Sequence, residues 1–167
     1  QTGRNSADTH TTLNEISQLE NISNQAISAE SFDIRYKTGC FLDSNGDAYC
    51  WGGNVKGQLG ADTGINDTHK ALQSQLSGDI VEQVTVGRRF SCFLMEDRTV
   101  KCTGINNSGQ LGRGTISASE DPPDTVTGLS DITLIESGYK HSCAFDVDNN
   151  LHCWGENSGG EISDSNQ

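Results

Sequence analysis

Basic residues are scarce in this chain: 11 Lys and Arg stand against 23 Asp and Glu, for a formal net charge of −12. Neutralising a phosphate backbone takes clustered cations, so a nucleic-acid partner is excluded. Arg88-Arg89 is the only adjacent basic pair, and it reads as a solvated loop ahead of a strand. Long apolar runs are also missing. No stretch approaches the 18 residues of a spanning helix, and no charged segment followed by an apolar run opens the chain. It therefore reads as a processed, soluble form with Gln1 as its mature N-terminus. The signatures G-x-S-x-G and H-E-x-x-H and a phosphate-binding loop are absent, which argues against an enzyme and implies no cofactor. Apolar residues make up only 32%. A core this lean needs support from elsewhere.

That support is cysteine. Cys40/Cys50, Cys92/Cys102 and Cys143/Cys153 each read C-x9-C, and corresponding cysteines recur after 52 and then 51 residues. A glycine-rich phrase follows each pair: Cys50-Trp51-Gly52-Gly53-Asn54 to Gly57-Gln58-Leu59-Gly60, Cys102-Thr103-Gly104-Ile105-Asn106 to Gly109-Gln110-Leu111-Gly112, and Cys153-Trp154-Gly155-Glu156-Asn157 to Gly160-Glu161-Ile162. A period of this length signals a solenoid, a propeller or an array, with a four-stranded blade as the usual unit. Between the first two cysteines, Asp43-Ser44-Asn45-Gly46-Asp47 reads as a hairpin tip, with Gly46 at the left-handed position of a three-residue loop. That register sets Cys40 opposite Cys50. Glu96-Asp97-Arg98 and Val147-Asp148-Asn149 occupy the other two tips.

Directly opposed antiparallel residues lie within disulfide reach. Six cysteines allow 15 connectivities, and the repeat selects Cys40–Cys50, Cys92–Cys102 and Cys143–Cys153. A zinc site is disfavoured because zinc knuckles use C-x2–4-C, although His141 and His152 lie near the third pair. A Cys–His nucleophile is disfavoured too, because His141 and Cys143 sit almost side by side and the cysteine already has a partner. Each bridge closes an 11-residue loop and contributes about 2.5–3 kcal/mol by the chain-entropy estimate. Short-range disulfides point to an oxidising compartment, so the expected location is extracellular or at the cell surface.

Gly138-Tyr139-Lys140-His141-Ser142-Cys143-Ala144-Phe145, followed by Leu151-His152-Cys153-Trp154-Gly155-Glu156-Asn157, resembles the repeat of the regulator of chromosome condensation family. Gly87-Arg88-Arg89-Phe90-Ser91-Cys92 and Gly104-Ile105-Asn106 match in the second unit, with Thr103 where Trp51 and Trp154 stand. The likeness covers residues 76–162 well and 38–75 less completely; Arg35-Tyr36-Lys37-Thr38-Gly39 departs from the G-x-x-H-S approach, and Ser163 replaces the closing glycine. The resemblance implies propeller blades. It also gives His141 the role of a structural hydrogen-bonding residue. Some members are nucleotide exchange factors that bind chromatin and others are secreted enzyme inhibitors, but this chain has no basic tail and exchange activity is not carried over.

The expected fold is all-β, a partial β-propeller-like repeat array of about three blades with antiparallel sheets. Residues 1–37 form an atypical cap or inter-subunit contact, 38–75 the first repeat, 76–128 the second, and 129–167 the third with a C-terminal tail. In residues 7–29 a short helix and an extended strand compete equally. Sequons place candidate glycosylation at Asn21, Asn66 and Asn106, with a structural hydrogen bond as the rival role for Asn106. Acidic turns at Asp43–Asp47 and Asp146–Asn149 read as ordinary turn chemistry rather than calcium loops. Three blades leave open lateral faces. The expected function is a non-enzymatic extracellular structural protein that assembles head to tail with copies of itself through Leu13, Ile16, Leu19 and Ile22, as a filament or a ring. The alternative is a secreted module that binds a protein or glycan through loops 61–75 and 113–128.

Overall fold

The computed structural model describes residues 31–61, 64, 66–76 and 78–162. Eleven strands form three antiparallel sheets there, and all three are blades of one array. Blade 1 runs β1 (Phe32–Arg35), β2 (Thr38–Leu42), β3 (Ala48–Gly53) and β4 (Asp67–Gln73). Blade 2 runs β5 (Val81–Gly87), β6 (Phe90–Met95), β7 (Val100–Asn106) and β8 (Ser117–Thr125). Blade 3 contains β9 (Ile132–Ser137), β10 (His141–Asp146) and β11 (Leu151–Gly155). No helix among the described residues is long and apolar enough to cross a membrane.

The hairpins β2–β3, β6–β7 and β10–β11 pair Cys40 with Cys50, Cys92 with Cys102 and Cys143 with Cys153. Left-handed residues close their tips: Gly46 at φ 79°, Arg98 at φ 68° and Asn149 at φ 63°. Disulfides join all three pairs, each with α-carbons 4.1 Å apart.

Chemistry also explains the turn after each hairpin. The side-chain oxygen of Asn54 accepts from Leu59 N at 3.0 Å, Asn106 from Leu111 N at 3.1 Å and Asn157 from Ile162 N at 2.9 Å. Inside that ring the side chains of Gln58, Gln110 and Glu161 accept from the backbone nitrogen two residues before each, Lys56 N, Ser108 N and Gly159 N. Asn and Gln thus satisfy backbone donors that the turn leaves without strand partners. This fixes the apolar residue that follows, Leu59 or Leu111, pointing inward.

The core lies between blades rather than within one. Cys40, Leu42, Ala48, Cys50 and Leu59 of blade 1 pack against Leu76, Val81, Val84, Val86, Phe93 and Met95 of blade 2. The same places on blade 2, held by Cys92, Leu94, Val100, Cys102 and Leu111, pack against Ile132, Ile135 and Ala144 of blade 3. Each blade therefore stabilises its successor.

Two expectations are revised. The segment 1–37 contains β1, which pairs with β2 as the innermost strand of blade 1. The stretches 61–75 and 113–128 are not free loops but carry the outer strands β4 and β8. Both are polar, and β8 accommodates Pro122-Pro123, a composition tolerated on a sheet edge where one side needs no ladder donor. Residues 7–29, with their rival helix and strand readings, fall outside the described residues.

Candidate functional site

Innermost strands leave one row of backbone donors unpaired in their own sheet, and the preceding blade satisfies them with side chains. Asp33 Oδ2 accepts from Val86 N at 2.9 Å and from Thr85 Oγ1 at 3.2 Å, while Ser31 Oγ accepts from Val84 N at 3.1 Å. One blade on, Thr85 Oγ1 accepts from Ser137 N at 2.9 Å. The Gln83 amide meets both Ile135 N and Ile135 O at 2.9 and 2.8 Å. Thr103 Oγ1 donates back to Gly57 O and Trp154 Nε1 to Gln110 O, locking each outer hairpin onto the turn behind it. Every blade thus presents a leading face to its predecessor and a trailing face to its successor.

At the two ends of the array those faces meet no further blade among the described residues. Pairing across the first hairpin puts Phe32 opposite Phe41 and Ile34 opposite Gly39, as Val84 is opposite Phe93 and Val86 opposite Ser91. Ile34 is 61% exposed, yet its counterpart Val86 is 0% exposed against blade 1. The trailing end repeats the contrast. The pair Phe145–Leu151 stands where Leu42–Ala48 and Leu94–Val100 stand. Those four are buried, whereas Leu151 is 57% exposed and Phe145 is exposed beside it. Two apolar half-interfaces of matching design therefore face outward, Phe32 and Ile34 at one end and Phe145 and Leu151 at the other.

The residues singled out from sequence are distributed as follows. Leu13, Ile16, Leu19, Ile22 and Asn21 lie outside the described residues. Asn66 is exposed beside β4. Asn106 is fully buried, with Oδ1 accepting from Leu111 N and Nδ2 donating to Thr115 O at 3.0 Å. The amide nitrogen that a glycan would occupy is thus already engaged, and Asn106 serves the turn. The ring of His141 lies directly over Gly138, where a Cβ would sit 2.5 Å from Cε1 and Nε2. Phe90 covers Gly87 in the same manner, so at this position an aromatic ring packs on the glycine that ends the innermost strand or opens the turn after it.

The acidic turns use their oxygens internally. Asp43 Oδ1 accepts from Asn45 N and Asp47 N, and Asp146 accepts from Asp148 N, Asn150 and His152 Nε2. The His152 contact, at 2.9 Å, does most to hold the half-buried Asp146 carboxyl far below the usual carboxylate range. Among the described residues no group of three or more His, Cys, Asp or Glu is placed to hold a metal ion. The end faces escaped sequence reading because the exposed residues look like any strand residues. Aligning their hairpin partners against Val84, Val86, Leu94 and Val100 would have found them.

The motif described as the regulator of chromosome condensation (RCC1) repeat matches residues 36–58, 81–110 and 132–161, and a second form of it matches 102–145. The probable E3 ubiquitin-protein ligase HERC6 of Homo sapiens is 33% identical over 122 residues, 71% of this chain and 12% of that protein. The protein RCC2 homolog of Xenopus laevis is 33% identical over 112 residues, 66% of this chain and 22% of that protein. Among solved structures, Prp20p of Saccharomyces cerevisiae, described with its binding properties to Gsp1p and histones, superposes with a TM-score of 0.58 at 26% identity, covering 72% of this chain and 29% of that one. The chain thus spans less than a quarter of the curated relatives named here, and the likeness to HERC6 lies in the repeats. With its repeat phrases, blade topology and these matches in agreement, the chain belongs to the regulator of chromosome condensation (RCC1) repeat family.

Proposed function

We propose that this chain is a non-enzymatic extracellular repeat scaffold that binds protein through its blade faces, its first partner being another copy added head to tail. The observation that carries this reading is the pair of bare half-interfaces: Phe32 and Ile34 occupy positions that the array buries one blade later, and Phe145 and Leu151 occupy positions it buries one and two blades earlier. Joining the two faces repeats a contact the chain already makes twice. Such a joint is heterologous, so it propagates as a filament unless the rotation closes a ring. The three short-range disulfides support an oxidising, extracellular setting. Ligase activity belongs to the relatives that bear that name.

Sedimentation velocity on Ile34→Glu and Leu151→Glu tests the reading. The parent chain should form species larger than a dimer, with joints burying at least about 1,200 Å². Each variant alone should be monomeric. Mixing the two should give a heterodimer and nothing larger, because one intact face of each kind remains. A parent chain that stays monomeric at several hundred micromolar would refute the reading. It would promote the alternative, a secreted protein- or glycan-binding module, which the exposed Ile116 at the turn into β8 favours.

A further inference from the structure

The turns that join the first two strands of each blade lie together on one rim of the array. They are Tyr36-Lys37, Arg88-Arg89 and Gly138-Tyr139-Lys140. Arg88 N donates to Tyr139 O at 3.1 Å, and the Arg88 guanidinium lies 4.7 Å from the centre of the Tyr139 ring. Tyr36 meets the same ring edge to face at 5.4 Å, across the span of a whole blade. Five of the chain's 11 basic residues, Arg35, Lys37, Arg88, Arg89 and Lys140, sit in or beside these turns. Arg35 is neutralised by Asp33 and Glu136, and Lys140 by Glu156. Lys37, Arg88 and Arg89 form no ion pair among the described residues, in a chain whose net charge is −12.

Backbone conformation is the second observation. Tyr36 and Arg89 adopt φ of 58° and 65° in two-residue turns. Bulky residues rarely sit there, and Asn or Gly closes such turns without strain. Among the described residues 13 glycines also adopt positive φ, as do Arg98, Asp131 and Asn149, and the two rim turns keep bulky side chains in spite of the strain. The turns are also held rigidly. Lys37 O, Arg89 O and Lys140 O accept from Gly53 N, Ile105 N and Glu156 N. Two unpaired guanidinium groups and a lysine are therefore presented in fixed positions beside an aromatic pair.

We infer that this rim is a docking site for an acidic segment of a partner protein, with Lys37, Arg88 and Arg89 taking its carboxylates and Tyr36 and Tyr139 taking a neighbouring apolar or aromatic side chain. Arginine's fixed fork suits carboxylates, and charge-assisted bonds made from rigid turns lose little entropy on binding. A long polyanion such as nucleic acid or a sulfated glycan fits less well. Three unpaired cations supply little counterion release, and the surrounding acidic protein repels the remainder of such a chain. The inference does not depend on head-to-tail assembly, which uses other residues.

Fluorescence anisotropy of a fluorescein-labelled peptide, glutamates flanking one phenylalanine, tests it on the full chain. Saturable, salt-sensitive binding is expected, weakened at least tenfold by Arg88→Ala with Arg89→Gly. Arg89→Gly relieves the left-handed strain, so its Tm should equal or exceed the parent's while binding falls; this separates a docking role from a structural one. Tyr139→Ala should weaken binding, and Arg98→Glu, on a distant hairpin tip, should not. The inference fails if the peptide does not bind, if its glutamine counterpart binds equally, if Arg98→Glu weakens binding as much, or if a thymidine oligonucleotide or heparin displaces the peptide at equimolar concentration.

Discussion

Gly104→Ala probes the joint between the repeat phrase and the rim. Gly104 has φ +116°, and a Cβ built there would lie 2.5 Å from Arg89 O and 2.8 Å from Phe90 Cα. Both contacts are backbone, and Arg89 O is already accepting from Ile105 N at 2.9 Å, so neither can step aside without breaking the turn. The positive φ costs an L-residue about 1–2 kcal/mol. Forcing a methyl into a filled space costs about 1–3 kcal/mol. Loss of glycine's freedom in the unfolded chain returns about 0.4–1 kcal/mol. The net destabilisation is about 2–4 kcal/mol, or about 5–15 °C in Tm for a chain of this size. Gly114→Ala is the control: its φ is +68° with no atom within 4 Å of the new Cβ, so only the conformational term of about 1 kcal/mol applies. Urea unfolding and calorimetry read both. If Gly104→Ala costs no more than Gly114→Ala, the close approach of Gly104 to the Arg89 carbonyl does not constrain the fold, and the rigidity assigned to the rim turns falls with it.

Graded reduction with alkylation and mass spectrometry should open Cys143–Cys153 before the other two bridges, because Cys40, Cys50, Cys92 and Cys102 are fully buried between blades while the third pair is partly exposed. Alkylation of Cys92 and Cys102 at the same reductant concentration would contradict the blade order. The Asp146 carboxyl should titrate well below its usual range, chiefly through its hydrogen bond from His152, and His152→Gln should raise its midpoint by NMR. Since the folded value lies below the unfolded one of about 3.9, any stability it contributes is present above about pH 4 and is lost as the pH falls; a midpoint unmoved by His152→Gln would refute the assigned cause.

Local chemistry was legible wherever a backbone group needs one kind of partner. The C-x9-C count fixes the hairpins, and Asn-x4-Leu with an intervening Gln satisfies the donors of the following turn, so those elements are written in residue types. The outer strands β4 and β8 were not legible. Asp67-Thr68-His69-Lys70 is solvated and carries no period of two, because an edge strand on the rim of a propeller has no second layer to bury a face against. Nor was β1, since Phe32-Asp33-Ile34-Arg35 gains its identity only from β2 and from the blade that follows.

The contacts between blades were hidden for a different reason: the repeat preserves a task more faithfully than a residue. Thr103 breaks the Trp51–Trp154 pattern, yet its hydroxyl donates to Gly57 O, the same kind of turn carbonyl that Trp154 Nε1 reaches in Gln110. Asp33, Thr85 and Glu136 stand opposite the first cysteine of their blades. The first two accept a backbone donor from the next inner strand, one as a carboxylate and the other as a hydroxyl. Glu136, with no described successor strand, instead meets Arg35 at 3.2 Å. A position defined by what it must satisfy accepts any side chain with an oxygen in reach, so its pattern emerges only when the strands are laid side by side. The same comparison exposes Ile34 and Leu151 as members of an interface with only one half present, and it separates them from the rim, where Tyr36, edge to face with Tyr139, and Arg89 sit in left-handed turns.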